Sequence, residues 1–477
     1  MQWISRNPYV VSSFGKIAPL IPETICLLFI FEGNEGCLNK ILFQLPITKI
    51  LIHYSEFINP YKEFSMPLIR PFAGLRPTPE YAAEVIAPPY DVLNSNEASI
   101  RAKGHPWNFL HISKPEIDLP LSVSPYDEAV YAKGAENLQR MLQTGILKQD
   151  EQSFYYLYGL TMGNHQQIGL VAVANVADYN SNRIRKHELT RPDKENDRVR
   201  QIDALNAQTG PVFLTYKHHP TIDALVKTLT DKPPIVKLTA DNGVVHTLWI
   251  VTEPTNIATI STTFTNMDCL YIADGHHRSA AASRVATMRH SKNSSDNFEA
   301  PYNYFLSVLF PDNQTQILDY NRVVQDLNGL TNSEFLDQVK QNFTLEPSDT
   351  AIKPQQNGEF GMFLDEQWYQ LTLHSSKIPS NDPVASLDVS LLTEHLLTPI
   401  LNISDLRLDK RIDFVGGIRG LSELEKWVNS GEMAVAFTLY PTSMAALMAV
   451  ADAEQVMPPK STWFEPKLAD GLVSHLI

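Results

Sequence analysis

The stretch CLYIADGHHRSAAA, Cys269 to Ala282, sets an apolar run against an acid, a glycine, two adjacent histidines, an arginine and a row of alanines. The apolar residues read as a short buried strand ending at Ala273, Asp274 and Gly275 as a tight turn, and the small residues from about Ser279 to His290 as a helix. A strand, a sharp turn and a helix start, in that order, place polar side chains beside backbone N–H groups that have no helical acceptor and beside the positive end of the helix dipole. That setting suits an anion. Gly275 lets the backbone come close to a ligand. Taken singly, each residue has an ordinary explanation: Asp274 as a cap, Arg278 as a surface ion-pair partner, His276 and His277 as polar filler. Gathered at one turn, they point to a site.

Outward from that turn the pattern mixes strands and helices. SFYYLYGLTM (153–162) and QQIGLVAVANVADY (166–179) read as paired strands joined near Gly163 and Asn164. RPDKENDRVRQIDALNAQ (191–208) reads as a helix, with Pro192 in its first turn, Asp193 and Glu195 near its positive end, Val199, Ile202 and Leu205 as its apolar side, and Gly210 as its stop. PVFLTY (211–216), VVHTLWIV (244–251), YNYFLSVLF (302–310) and TQILDYNRVV (315–324) read as strands, and TIDALVKTLTD (221–231) as a helix. After Thr331 a new run of helices and strands leads to GEMAVAFTLYP (431–441). The expected class is α+β with mixed sheets: a main domain over residues 66–330 and a second α/β C-terminal domain over 331–477. Residues 1–65 differ. ICLLFIF (25–31) is too short to span a bilayer, Pro46 and Lys49 interrupt ILFQLPITKILIHY (41–54), and no signal-peptide pattern is present. The expectation is an extension outside the core, with the natural product beginning at Met66.

A second constellation lies in RIRKHELTRPDKENDRVR, Arg183 to Arg200, a locally basic segment in a chain of 477 residues whose formal net charge is −14. Lys186, His187 and Arg191 precede the expected helix and can grip phosphate. Glu188 is a carboxylate in a cationic setting, placed to accept a proton from a hydroxyl. The alternative is a salt-bridged surface helix, preferred for Asp193, Glu195 and Arg200. His218 and His219 read as loop filler, Tyr90 and Asp91 in APPYDVL as a site wall or an ordinary buried loop. FVGGIRG, around Gly416 and Gly417, lacks the phosphate-loop spacing. MPPKSTWFEPKLADG (457–471), with Lys460, Ser461 and Thr462, either closes over the site or packs as a tail. The acidic balance and the absence of a lysine-arginine cluster argue against nucleic acid. Three scattered cysteines fit a reducing compartment, the cytoplasm by default.

Four blocks carry a resemblance: IRPFAGLRP with APPYDVL, KHELTRPDKENDRVRQIDALNAQTGPVF, YIADGHHRSAAA and MPPKSTWFEPKLADGLV. On these the chain is identified, over Met66 to Ile477, as a member of a bacterial family known as domain of unknown function 1015, whose biochemistry is unassigned. The DGHHR turn also resembles the phosphate-binding turn of the ParB and sulfiredoxin-like superfamily, in which a glycine-x-x-arginine element, here Gly275 to Arg278, binds nucleotide phosphates. Free serine kinases carry a similar histidine-rich version. The resemblance implies a ParB/sulfiredoxin-like nucleotide-binding core. In it Gly275, His276, His277 and Arg278, with Lys186 and Arg191, hold ATP or ADP with Mg²⁺. Glu188 or Asp274, with His187, serves transfer to a small-molecule hydroxyl, and no dedicated protein metal site is implied. A nucleotide-binding regulator without turnover stays open. So does a metal-dependent hydrolase using Asp274, His276, His277 and His187, which ranks last because neighbouring residues rarely ligate one ion together.

Overall fold

The computed structural model describes residues 24–32, 38–46, 67–292, 297 and 299–477. The chain divides into two compact units, Met1–Ser65 and Met66–Ile477. In the first, strands Thr24–Glu32 and Leu38–Pro46 pair antiparallel, so ICLLFIF lies on a strand. The later part of the second apolar run, residues 47–54, lies outside the described residues.

The second unit is built on a mixed sheet of nine strands. In chain order these are β1 (Ile69–Arg70), β2 (Tyr155–Met162), β3 (His165–Asn175), β4 (Ile184–Arg185), β5 (Val212–Tyr216), β6 (Val236–Thr239), β7 (Val245–Val251), β8 (Leu270–Asp274) and β9 (Tyr304–Pro311). Their spatial order is β6-β7-β2-β3-β9-β5-β8-β4, with β1 also on β3. β5 runs parallel to β9 and β8 parallel to β4; the other pairs are antiparallel. The period of two along each strand sorts side chains between two cores. Tyr156, Tyr158, Val171, Val173, Leu306 and Val308 face one. Tyr155, Leu157, Leu170, Ala172, Phe305 and Leu309 face the other, where Ile222, Ile260, Phe264 and Ala282 cover them.

Two helices frame the site: α1 (Pro192–Leu205) and α2 (His276–Lys292). They pack through Ile202, Ala281 and Val285, which explains the small residues of α2, since alanines let a neighbouring helix approach. Two boundaries differ from the sequence expectation. α2 begins at His276, not near Ser279, because Gly275 at φ +104° turns the chain sharply enough for the N–H of Ser279 to bond the carbonyl of Gly275 at 3.0 Å. α1 stops at Asn206, which takes the left-handed conformation at φ 49°, and not at Gly210.

A second, antiparallel sheet of six strands follows, all between Tyr320 and Leu439. TQILDYNRVV, expected as one strand, is two: Gln316–Leu318 pairs with Trp463–Glu465, and Tyr320–Val324 enters the second sheet. One apolar cluster holds residues of both sheets, among them Tyr271, Phe310, Val324, Phe360 and Phe437.

Candidate functional site

Parallel pairing builds the site. β8 and β4 align Leu270 with Ile184 and Tyr271 with Arg185, so the two chains leave the sheet at the same end. One runs on into Lys186–His187–Glu188 and the other into Asp274–Gly275 and α2. The carboxyl ends of parallel strands are where open sheets commonly place ligands. Residues 89 apart in sequence meet here: the N–H of His187 donates to Nε2 of His276 at 3.4 Å. The two rings stand edge to face, with centroids 4.5 Å apart. The N–H of Arg191 donates to Nε2 of His277 at 3.0 Å. Oε2 of Glu188 lies 3.7 Å from Nδ1 of His276. β5 runs antiparallel to β8, which brings Pro211 to the same end, and Arg278 donates to the Pro211 carbonyl.

Each group has a different exposure and therefore a different chemistry. His187 and His276 are buried, at 2% and 4% exposure, and burial pulls His187 down to about 4 and His276 well below the ordinary histidine range. Both are neutral at pH 7. Asp274 shows the reverse: burial alone would raise its carboxyl, but the charges of Lys467 and Arg278 hold it well below the usual carboxylate range. Its oxygens face Nη2 of Arg278 and Nζ of Lys467, each at 3.5 Å. Glu188 keeps 48% of its side chain exposed, yet partial burial and the nearby Asp274 charge raise its proton affinity. It is the accessible carboxylate of the group. The N–H groups of His276, His277 and Arg278 fall in the first turn of α2, where helix geometry supplies no acceptor.

The remaining expected residues sit around this centre. Lys186 donates to the Tyr179 carbonyl at 3.0 Å. Arg191 is exposed and pairs with Asp193 at 2.9 Å. Glu195 pairs with Arg284 and Arg200 with Glu128, both across elements and not along the helix. Arg278 turns inward, 9% exposed, and lines a cavity of about 30 Å³ with Tyr90, Ser113, Arg198 and Asp470. That volume holds about two water molecules. Both carboxylate oxygens of Asp470 and Oγ of Ser113 point to no hydrogen-bond partner among the described residues.

The C-terminal segment is what sequence reasoning left undecided. The N–H of Met457 donates to the His187 carbonyl at 2.9 Å, Lys467 reaches Asp274, and the charge of Lys460 lowers the proton affinity of Glu188. The stretch MPPKSTWFEPKLADG closes against the site. His218 and His219 lie apart from it: His219 caps the helix Pro220–Thr230 and His218 stands 3.3 Å from Asp312.

One constellation among the described residues offers metal ligands: nitrogen or oxygen atoms of His187, Glu188 and His276 lie within 4.8 Å of one another. Nδ1 of His187 has no hydrogen-bond partner there. The contact at His276 has the wrong polarity for a ready ligand. Its Nε2 faces an N–H donor, which leaves the ring proton on Nδ1, the atom turned to Glu188, whereas a ligating histidine normally donates its second nitrogen to an acceptor. No helix among the described residues is long and apolar enough to cross a membrane.

Among solved structures, the chain is similar to a free serine kinase in complex with AMP, at 12% identity over 63% of this chain and 92% of the other, with a TM-score of 0.32. A conserved hypothetical protein from Pyrococcus furiosus aligns at 13% identity over 64% and 95% of the two chains, with a TM-score of 0.31. SbnI from Staphylococcus aureus, truncated at its C-terminus, aligns at 11% identity over 63% and 85%, with a TM-score of 0.34. No curated protein matches. The family described as "Protein of unknown function (DUF1015)" matches residues 69–390, a range that includes both constellations of the site and ends before the block at 457–473. With more than half of its length matched, the chain belongs to the DUF1015 family.

Proposed function

We propose that the protein is a nucleotide-dependent phosphotransferase acting on a hydroxyl of a small molecule, within a ParB/sulfiredoxin-like core. The observation that carries the reading is the meeting of Glu188 with the start of α2: a half-exposed carboxylate of raised proton affinity stands 3.7 Å from His276, beside a helix N-terminus. Phosphoryl transfer asks for positioned phosphates, neutralised charge and a group that takes the hydroxyl proton, with little covalent chemistry from the protein. In this reading Gly275, His276 and His277 present the first turn of α2 to the phosphates of ATP or ADP, with Lys186 and Arg191 at the rim. Glu188 accepts the proton. Arg278, tied to Pro211 and Asp274, holds the turn from behind. Neutral His187 packs against His276 and fixes its ring.

Mg²⁺ takes oxygen ligands and usually arrives with the nucleotide, held by one or two carboxylates. Asp274, kept ionised, fits that part, and the ion would neutralise phosphate charge. The two nitrogens and one oxygen of His187, His276 and Glu188 suit zinc or iron(II) better. That donor set favours a second reading, a metal-dependent hydrolase, which the polarity at His276 opposes. The proposal keeps residues 66–330 and 331–477 as two domains, the first lending the strand Tyr320–Val324 to the sheet of the second, with residues 1–65 as an extension and the cytoplasm as the location.

Calorimetric titration of the protein with ADP and with adenosine, with and without Mg²⁺, tests it. The expected result is ADP binding at least about tenfold tighter than adenosine, the weight of one or two charge-assisted hydrogen bonds to phosphate. Equal affinity, or no binding of ADP under either condition, would remove the reading.

A further inference from the structure

Arg322 is buried to 1% exposure and pairs with no carboxylate among the described residues. It donates to the carbonyls of Tyr320 and, at 2.9 Å, Lys460, and its guanidinium lies over the Phe414 ring, 4.8 Å from the centroid. Burying a cation without a counter-ion is costly, so what it holds in place is of interest. It holds the backbone of Lys460. That residue sits at φ +60°, a conformation unfavourable to any residue with a Cβ and taken, among the other described non-glycine residues, mainly by asparagine and aspartate. Such outliers persist where the surroundings over-determine them, often at functional sites.

The position explains the expense. Three residues earlier the segment bonds His187 through the N–H of Met457, and seven residues later Lys467 reaches Asp274. Lys460 lies between these anchors, exposed, with no carboxylate in ion-pair range among the described residues, and its charge acts on Glu188. Ser461 reinforces the bend: its Oγ donates to the Pro458 carbonyl and its own carbonyl accepts from Thr442. The segment thus holds near Glu188 an ammonium that has no ion-pair partner among the described residues and rests 5.7 Å from the centroid of the Tyr320 ring.

We infer that Lys460 contacts the phosphate of the bound nucleotide and that Arg322 is the positioning residue that aims it. The inference rests on the phosphotransferase reading above. Lysine serves phosphate as a point charge that needs no fixed fork, which suits an exposed side chain on a rigid backbone.

The test is calorimetric titration of Lys460→Met, Lys460→Arg, Arg322→Met and the Lys460→Met/Arg322→Met double variant with ADP and with adenosine. Losing one partly exposed charge-assisted contact should weaken ADP about three- to tenfold in Lys460→Met, leave adenosine unchanged and leave Lys460→Arg near the parent. Arg322→Met should weaken ADP similarly and add little on top of Lys460→Met, a non-additivity that general loosening would not produce. If Arg322→Met does not fold, the Lys460 pair decides alone. ADP binding by Lys460→Met equal to the parent overturns the inference and leaves the function standing, as does equal loss of ADP and adenosine. If the parent binds no ADP, the proposed function falls, and inorganic tripolyphosphate then decides. Its loss in Lys460→Met keeps the lysine as a phosphate contact; equal binding, or none, overturns it.

Discussion

Replacing Gly275 with alanine tests whether the turn is built as described. At φ +104° the position lies beyond the left-handed basin that alanine tolerates, which costs about 1–3 kcal/mol. The new Cβ would stand 3.1 Å from Nε and 3.2 Å from Cζ of Arg278. The guanidinium, tied to Pro211 and facing Asp274, has little room to give, and crowding adds about 1–2 kcal/mol. The sum is about 2–5 kcal/mol. Gly243→Ala is the control: its φ is +80°, and nothing lies within 4 Å of an added Cβ, so it pays backbone strain alone, about 1–2 kcal/mol. Urea unfolding at pH 7.5 measures both. Gly275→Ala should be the less stable by at least about 1 kcal/mol and should bind ADP more weakly. A Gly275→Ala protein as stable as Gly243→Ala would refute the argument that Arg278 braces the turn.

Two buried groups should give opposite pH dependences. His187 is held neutral, its pKa pulled to about 4, so the unfolded chain takes the proton first and stability is lost as pH falls from about 6.5 to about 4. The loss is about 3 kcal/mol, and His187→Gln should remove that part of the acid slope in urea titrations; an unchanged slope speaks against it. Asp470 is raised to about 7, chiefly by burial, so the folded chain keeps a proton that the unfolded chain gives up near 3.8. That contribution is present at low pH and lost as pH rises toward 7. Asp470→Asn should therefore gain on the parent by about 4 kcal/mol between pH 4 and pH 7, whereas a constant difference across the window would contradict the assignment.

The strands of the main sheet were legible because they are short apolar runs bounded by turn residues, as in YYLYGLTM and VFLTY. The turn at Asp274–Gly275 was legible from residue types alone. The start of α2 was misplaced by three residues because two histidines and an arginine look like loop, while the geometry of Gly275 admits them to the helix. The end of α1 was misplaced because Asn206 supplies the left-handed residue that a glycine usually supplies. Direction was the harder problem. A charge at a helix start says nothing about which way its side chain turns, and Arg278 turns inward to Pro211. The nearness of Glu188 to His276 depends on β4 and β8 being parallel, a pairing of two residues in each strand that no periodicity reveals. Whether the segment of Met457, Lys460 and Lys467 closes over the site or packs as a tail stayed open in the sequence, because it meets the site from about 180 residues further along the chain, through one backbone hydrogen bond and one ion pair.

The measurement that bears most directly on the account is phosphorus NMR of ATP and ADP incubated with Mg²⁺, a panel of small hydroxyl compounds and either the parent or Glu188→Gln. The substitution keeps the shape and removes the proton acceptor. The account predicts transfer by the parent to at least one acceptor, a rate lowered by a factor on the order of 10²–10⁴ in Glu188→Gln, and ADP affinity unchanged within about twofold. Transfer by Glu188→Gln at the parental rate, or no transfer by the parent to any acceptor, would contradict it.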